Sequence, residues 1–331
     1  MSQLRVVFMG TPDFSVGIME KMLEQGIQLV GCVTVADKPA GRGQQLQESP
    51  VKRFAAEHSI PVLQPLKLKD EAFLAELRAL EADVFVVVAF RMLPAEVWKM
   101  PRFGTFNLHA SLLPDYRGAA PINWAIINGD QQTGVSTFFI DEAIDTGNVI
   151  MQTTMDIAEN ETAGSLHDRM MLTGGELVVQ TILAIEAGTI KPIPQEQFKD
   201  SLMRPAPKLF RENTQIDWSR PVQEIHQLIC GLSPYPAAWT KWINTKGEIK
   251  QVKLYRSTIG SIAINRDSLI NTDGTINHKV TNTLSSDKHT IMVHCTDGIL
   301  LIHELQLEGK KRMSARDWLV GNRVSDWSVE V

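Results

Sequence analysis

Val84-Phe85-Val86-Val87-Val88-Ala89 decides how this chain folds. Every residue in it is apolar, with no alternation, and most are β-branched. A run this short and this uniform reads as a strand buried on both faces, the condition met in parallel sheets covered by helices. Upstream, Leu4-Arg5-Val6-Val7-Phe8-Met9 and the run Leu29 to Val35 have the same character. Helical patterns lie between these runs. One follows Asp13 with Phe14, Ile18, Met22 and Leu23 on one face, a second covers about 50–58, and a third covers 70–80 with Phe73, Leu74, Leu77 and Leu80 aligned. Strand–helix alternation of this kind predicts a Rossmann-like doubly wound α/β sheet. Gly10-Thr11-Pro12 lacks the G-x-G-x-x-G glycines, so this sheet is not expected to bind a dinucleotide.

Downstream comes Phe106-Asn107-Leu108-His109-Ala110-Ser111-Leu112-Leu113-Pro114-Asp115-Tyr116-Arg117-Gly118. It starts as an alternating strand end, with Asn107 and His109 on one face, and breaks into a Pro/Gly loop. An amide and an imidazole delivered together at a sheet edge occupy the place where open α/β sheets bind ligands. A short helix is expected over 121–128, a strand over 134–140, and another over 148–152. Asp141, Glu142 and Asp145 lie between those two strands. Asp145-Thr146-Gly147 can be plain turn chemistry, and it can also bring a carboxylate to His109. A long helix is expected over 161–187.

Pro192, Pro194, Pro205 and Pro207 punctuate a segment without periodicity, read as a linker over 191–208 between a first domain, 1–190, and a second, 209–331. After a helix at 222–232 come short strands at 238–243, 250–257, 289–295 and 299–307, with turn signals at Asp273-Gly274 and Asp297-Gly298. This pattern suggests a C-terminal OB-like β-barrel domain. The hydrophilic stretch 257–286 reads as an elongated hairpin of the barrel or an insertion.

The bulk properties exclude several classes. The 331 residues are 44% hydrophobic and 21% charged, and no apolar run approaches the ~20 residues of a membrane span. The N-terminus lacks a signal pattern, and Cys32, Cys230 and Cys295 have no metal or redox spacing, as expected of a cytoplasmic protein. A net charge of −5 argues against wholesale nucleic-acid binding, but residues 1–204 carry −8 and residues 205–331 carry +3. The loop 37–45 is long and basic, and Gly41 and Gly43 flank Arg42 as if to let an arm carry a guanidinium to phosphate. Lys310-Lys311-Arg312 reads as a phosphate-binding patch or a solvated run.

Asn107-x-His109, Ser111-Leu112-Leu113-Pro114-x-Tyr116-Arg117-Gly118 and Asp145-Thr146-Gly147 together resemble the folate-dependent formyltransferase superfamily. Gly10-Thr11-Pro12-Asp13-Phe14, the loop Asp37 to Gly43, Gly118-Ala119-Ala120-Pro121-Ile122 and Ile127-Asn128-Gly129-Asp130 resemble the branch that formylates methionyl initiator tRNA. The resemblance covers essentially the whole chain. It implies the formyltransferase fold and transfer of a formyl group from 10-formyltetrahydrofolate to the α-amine of the aminoacylated tRNA, with no metal. It implies catalytic roles for Asn107, His109 and Asp145. Folate contacts are implied for Ser111, Leu112, Leu113 and Pro114, with Phe90 and Leu93 in the pocket wall. Arg42 and Lys208 become tRNA contacts. Nothing in the sequence demands more than a monomer.

Two stretches depart from the family pattern. Gln44-Gln45 stand where lysines usually follow Gly-Arg-Gly, and Ala89-Phe90-Arg91-Met92-Leu93-Pro94 stands for Ala-Tyr-Gly-x-x-Leu-Pro. Arg91 then meets the folate tail or lies on the surface. The same Asn/His/Asp set would also serve transfer to a sugar nucleotide or to glycinamide ribonucleotide, or hydrolysis of the folate donor. The basic Arg42 loop and barrel distinguish the tRNA reading, and turnover would exclude an inactive RNA-binding relative.

Overall fold

A computed structural model of the chain describes residues 3–40, 45–198, 201–260 and 283–330. The chain divides into two compact units. The first comprises residues 1–121, 132–156 and 167–207, and the second comprises 122–131, 157–166 and 208–331.

In chain order the first unit contributes β1 (Arg5–Gly10), α1 (Asp13–Glu24), β2 (Gln28–Val33), β3 (Lys38–Ala40), β4 (Gln45–Gln47), α2 (Pro50–Glu57), β5 (Val62–Leu63), α3 (Glu71–Ala79), β6 (Val84–Val88), α4 (Ala95–Trp98), β7 (Thr105–His109) and β8 (Arg117–Gly118). Then follow α5 (Pro121–Ile127), β9 (Gln132–Phe139), β10 (Val149–Asp156), α6 (Ala163–Glu186) and β11 (Pro205–Ala206). Helices α5 and α6 run across the boundary between the units.

The main sheet has the order β10-β9-β7-β6-β1-β2-β5. Strands β5, β2, β1, β6 and β7 are parallel, and β9 joins β7 antiparallel. All five residues of β6 are buried, as a central strand covered on both faces requires. Helix α1 buries Phe14, Ile18, Met19 and Met22, the three- and four-residue spacing that seats one helix face on a sheet. Ser49 caps α2 and Asp70 caps α3, each side chain accepting from the backbone N–H three residues on.

Two differences from the sequence reading have simple causes. Strand β10 runs on to Asp156, because it lies at the sheet edge, where Thr154 and Asp156 can face water while the backbone stays paired. The basic loop at 37–45 is flanked by an antiparallel ribbon, with Lys38 opposite Gln47 and Ala40 opposite Gln45. Its base is tied down by Asp37, whose carboxylate accepts from Lys52 Nζ at 2.5 Å and Gln64 Nε2 at 2.8 Å. Hydrogen bonding from Lys52 and then Gln64 holds the Asp37 carboxyl below the usual carboxylate range. Arg42 lies outside the described residues.

The second unit is built on α7 (Val222–Leu232), β12 (Ala238–Asn244), β13 (Ile249–Gly260), β14 (Thr283–Ser286), β15 (Ile291–His294), β16 (Ile299–Leu307), β17 (Met313–Ser314), α8 (Ala315–Gly321) and β18 (Trp327–Val329). Its strands pair in the order β14-β15-β16-β13-β12-β18, all antiparallel, and β14 comes back beside β18 to form a nearly closed barrel. Trp242, fully buried, meets Trp318 edge-on at 5.6 Å between centroids. Of the hydrophilic stretch 257–286, β13 takes the first residues and β14 the last, and 261–282 lie outside the described residues.

Candidate active site

Strand β7 ends at the carboxyl edge of the parallel strands, and its last residues carry the site. Asn107 is half-buried, and its Oδ1 is sealed from solvent without a hydrogen-bond partner. Leaving such an oxygen unpaired costs about 1–3 kcal/mol, so the fold spends stability at this atom. Two residues on, His109 is 6% exposed and packs edge-on to Phe138. Its Nε2 lies 2.8 Å from the Tyr116 carbonyl oxygen. A carbonyl can only accept, so Nε2 carries the proton and Nδ1 is the nitrogen left for other work. Nδ1 stands 4.0 Å from Asp145 Oδ2, within ion-pair reach and beyond hydrogen-bond length. The hydrogen bond that orients the ring is the one to the Tyr116 carbonyl.

Asp145 lies in the loop between β9 and β10, the order in which the sequence placed it. Its backbone is left-handed, at φ +56, and its Oδ2 accepts from the Gly118 N–H at 3.0 Å. Gly147 has no room for a side chain, since a Cβ there would strike the Phe139 carbonyl. The loop after β7 is built from within. Ser111 Oγ donates to the Asp115 carbonyl, Ser136 Oγ donates to the Ser111 carbonyl, and Gln152 Nε2 donates to the Leu113 carbonyl. Ser111, Leu113 and Pro114 are buried and Leu112 is half-buried. The peptide Leu113–Pro114 is cis.

The residues after β6 divide. Leu93 is buried in the core with Val7, Phe85 and Val97, while Phe90 is only partly buried against that core. Arg91 donates from its two terminal nitrogens to the carbonyls of Pro65 and Leu66, and its guanidinium lies 5.6 Å from the centre of the Phe90 ring. It pins one loop to another, where the sequence left it to the folate tail or open surface. In the second unit Lys208 is exposed, with its ammonium 5.7 Å from the Phe210 ring centre. Arg312 is committed to Glu304 through two contacts of 2.6 Å and stacks on Tyr255, so of the triplet at 310–312 only Lys310 and Lys311 keep unengaged charge.

One contributor escaped the sequence reading. Gln195, 1% exposed in a 3-10 turn, donates to the carbonyls of Asp145 and Gly147 and accepts from Arg117. A lone glutamine among prolines carries no catalytic pattern. The closely spaced Pro192 and Pro194 were the available signal, because fixed φ angles suit an ordered strap as well as a linker.

His109 and Asp145 thus face one another at the carboxyl end of β7, two residues from Asn107 and beside a loop tied from Ser136 and Gln152. The chain belongs to the formyl transferase family: the family's formyl transferase pattern matches residues 4–182 and its C-terminal domain pattern matches 208–323. Among curated proteins it is similar to the methionyl-tRNA formyltransferase of Bacteroides thetaiotaomicron, at 48% identity covering 98% of this chain and 97% of that one. Two solved structures share the fold. One is an N-formyltransferase from Helicobacter canadensis in complex with folinic acid and dTDP-3-aminofucose (TM-score 0.64, 21% identity, 94% of this chain and 100% of that one). The other is HypX from Aquifex aeolicus in complex with tetrahydrofolic acid (TM-score 0.61, 19% identity, 97% of this chain and 47% of that one).

Proposed function

We propose that this enzyme transfers a formyl group from 10-formyltetrahydrofolate to the α-amine of methionyl initiator tRNA, with Asn107, His109 and Asp145 as its catalytic residues. The observation that carries the reading is His109, fixed through Nε2 to a backbone carbonyl so that Nδ1 faces Asp145, two residues from an amide whose oxygen is left unpaired. The residues fit the donor. The orphaned Asn107 oxygen marks a site built for a polar guest, and the loop 111–114 presents a formed wall beside it.

The donor supplies an activated formyl carbon attached to a nitrogen leaving group. An α-amine has a pKa near ~7.7, so a large neutral fraction can attack without a strong base. As the new C–N bond forms, the formyl oxygen gains charge, and the Asn107 amide donates to it. The attacking nitrogen must lose a proton and the departing nitrogen must gain one. His109 Nδ1, facing the Asp145 carboxylate, can hold that proton between the two events. Asp145 in turn is held by the Gly118 N–H, so it supplies negative charge without swinging away. Ser111, Leu112, Leu113 and Pro114, with Phe90 and Leu93, form the proposed folate wall.

The second unit, through Lys208 and the barrel, together with Arg42 in the first, would hold the tRNA. We take the enzyme to act as a cytoplasmic monomer. No helix among the described residues is long and apolar enough to cross a membrane. The test is a transfer assay with methionyl initiator tRNA, methionyl elongator tRNA and free methionine, on the parent enzyme and His109→Ala. Transfer to the initiator alone, lost in the variant, is the expected result. Donor binding or hydrolysis without transfer to any of the three would sink the tRNA assignment and direct attention to small amines.

A further inference from the structure

We infer that Gln195 is a positioning residue for the reaction, a clasp that holds the Asp145 turn in its working conformation. The inference rests on the formyl-transfer reading of Asn107, His109 and Asp145 given above.

Asp145 occupies a backbone region that disfavours side chains, at a cost of roughly 1–3 kcal/mol, and such a residue keeps its conformation only when its surroundings impose it. Gln195 imposes it. Its Nε2 donates to the Asp145 carbonyl at 2.9 Å and the Gly147 carbonyl at 2.8 Å, and its Oε1 accepts from Arg117 Nε at 2.9 Å and Nη2 at 2.6 Å. Both amide protons and both oxygen lone pairs are used. The amide cannot be reversed, because carbonyls only accept and a guanidinium only donates. The anchor is also well chosen. Arg117 precedes Gly118 in β8, and Gly118 N–H holds the Asp145 carboxylate. The backbone and the side chain of Asp145 are therefore both referenced to one short strand.

That strand is itself held by the segment that carries Gln195. β11 pairs with β8 in parallel, the Tyr116 N–H donates to the Arg204 carbonyl at 2.6 Å, and Ile193 bridges to Val149. Tyr116 also supplies the carbonyl that fixes His109. Ile193, Gln195, Arg204 and Ala206 lie outside both stretches matched by the family, yet they secure both halves of the His109–Asp145 pair.

The test compares the full-length parent with Gln195→Glu, Gln195→Met and Arg117→Lys. Gln195→Glu keeps a partner for Arg117 but sets a carboxylate against two carbonyls. Sites are counted by titration with folinic acid, so that misfolded protein is not scored as slow enzyme. We expect kcat per titrated site to fall at least tenfold in both Gln195 variants, with KM for methionyl-tRNA and folinic acid affinity within threefold of the parent. Combined with Asp145→Asn, Gln195→Glu should add less than twofold. Full kcat per titrated site, a loss confined to KM, or effects that multiply in the double variant would each overturn the clasp. If a Gln195 variant does not accumulate, Arg117→Lys should show the same kcat-only loss, and an unchanged kcat there overturns the proposal. A crystal structure of Gln195→Glu separates this inference from the reaction itself. Gly118 N and Asp145 Oδ2 should lie beyond hydrogen-bond reach even if the parent proves to act on another amine. An intact bond would refute the clasp while leaving the transfer reading in place.

Discussion

The two nitrogens of His109 have different employers. Nε2 is bound to a backbone carbonyl that cannot titrate, and Nδ1 is left facing a carboxylate across 4.0 Å. Asn107 complements it by carrying an oxygen with no partner. These two facts make opposite demands on a substitution. Asn107→Ala removes the donor aimed at the developing charge, and we expect kcat to fall about 10²–10³-fold. It also removes an unpaired buried oxygen, so the melting temperature should hold or rise. Steady-state kinetics and a thermal melt on the same preparation check both halves. At Gly118 the backbone is at φ +124, and a Cβ would come within 2.5 Å of the Ala206 carbonyl oxygen. Gly118→Ala should therefore push β11 off β8 and cost both stability and kcat, which the same pair of measurements reads.

Elements with a strongly one-sided or wholly apolar composition were legible from sequence. β6, the α1 face, α7 and β16 were all placed correctly, because burial on one or both faces leaves its period in the residues. β18 was not seen, being a short strand whose partner β12 lies far back in the chain, and β14, although it hairpins onto β15, is only Thr-Leu-Ser-Ser and carries too little apolar pattern to read as a strand. α8 was missed although Ser314 and Asp317 form its N-cap, a cue too local to stand out beside the basic triplet before it. Asn107, His109 and Asp145 were legible through motif and resemblance, whereas Gln195 was not. Its meaning lies in four hydrogen bonds to residues dozens of positions away. The tryptophan cluster that joins β12, α8 and β18 gives the barrel much of its core. Trp242→Ala should cost about 3–5 kcal/mol in an equilibrium denaturation experiment.

At the scale of the whole molecule, proton uptake and salt act on different parts. Burial pushes the imidazoles of His226, His294 and His303 below their ordinary value of 6.5, and all three lie in the second unit. Glu159 opposes the shift at His226, and Asp287 opposes it at His303, where Arg256 reinforces it. Their unfolded forms take up protons first as pH drops below 6.5, so the unfolded state gains and stability declines through that window. Asp37, Asp217 and Asp287 are shifted down from 3.8, and their contributions fade only below about that pH. Melts between pH 7.5 and 5 should thus show a loss of stability that His226→Asn partly removes. Binding of tRNA should weaken with salt, with a log–log slope of about −0.7 to −0.9 per phosphate neutralised. Lys208→Ala should reduce that slope by about one contact in a titration series.

The strap from Ile193 to Ala206 also sets a timetable. A nascent chain is made from its N-terminus at about 5–20 residues per second. The strands of the main sheet are all present once Asp156 has emerged, but Gln195 lies fifty positions after the aspartate it clasps. For roughly 2–8 s of each round of synthesis the sheet can assemble around a turn whose backbone Gln195 does not yet hold. The enzyme would therefore acquire its architecture first and its catalytic competence later, when the strap arrives from the ribosome.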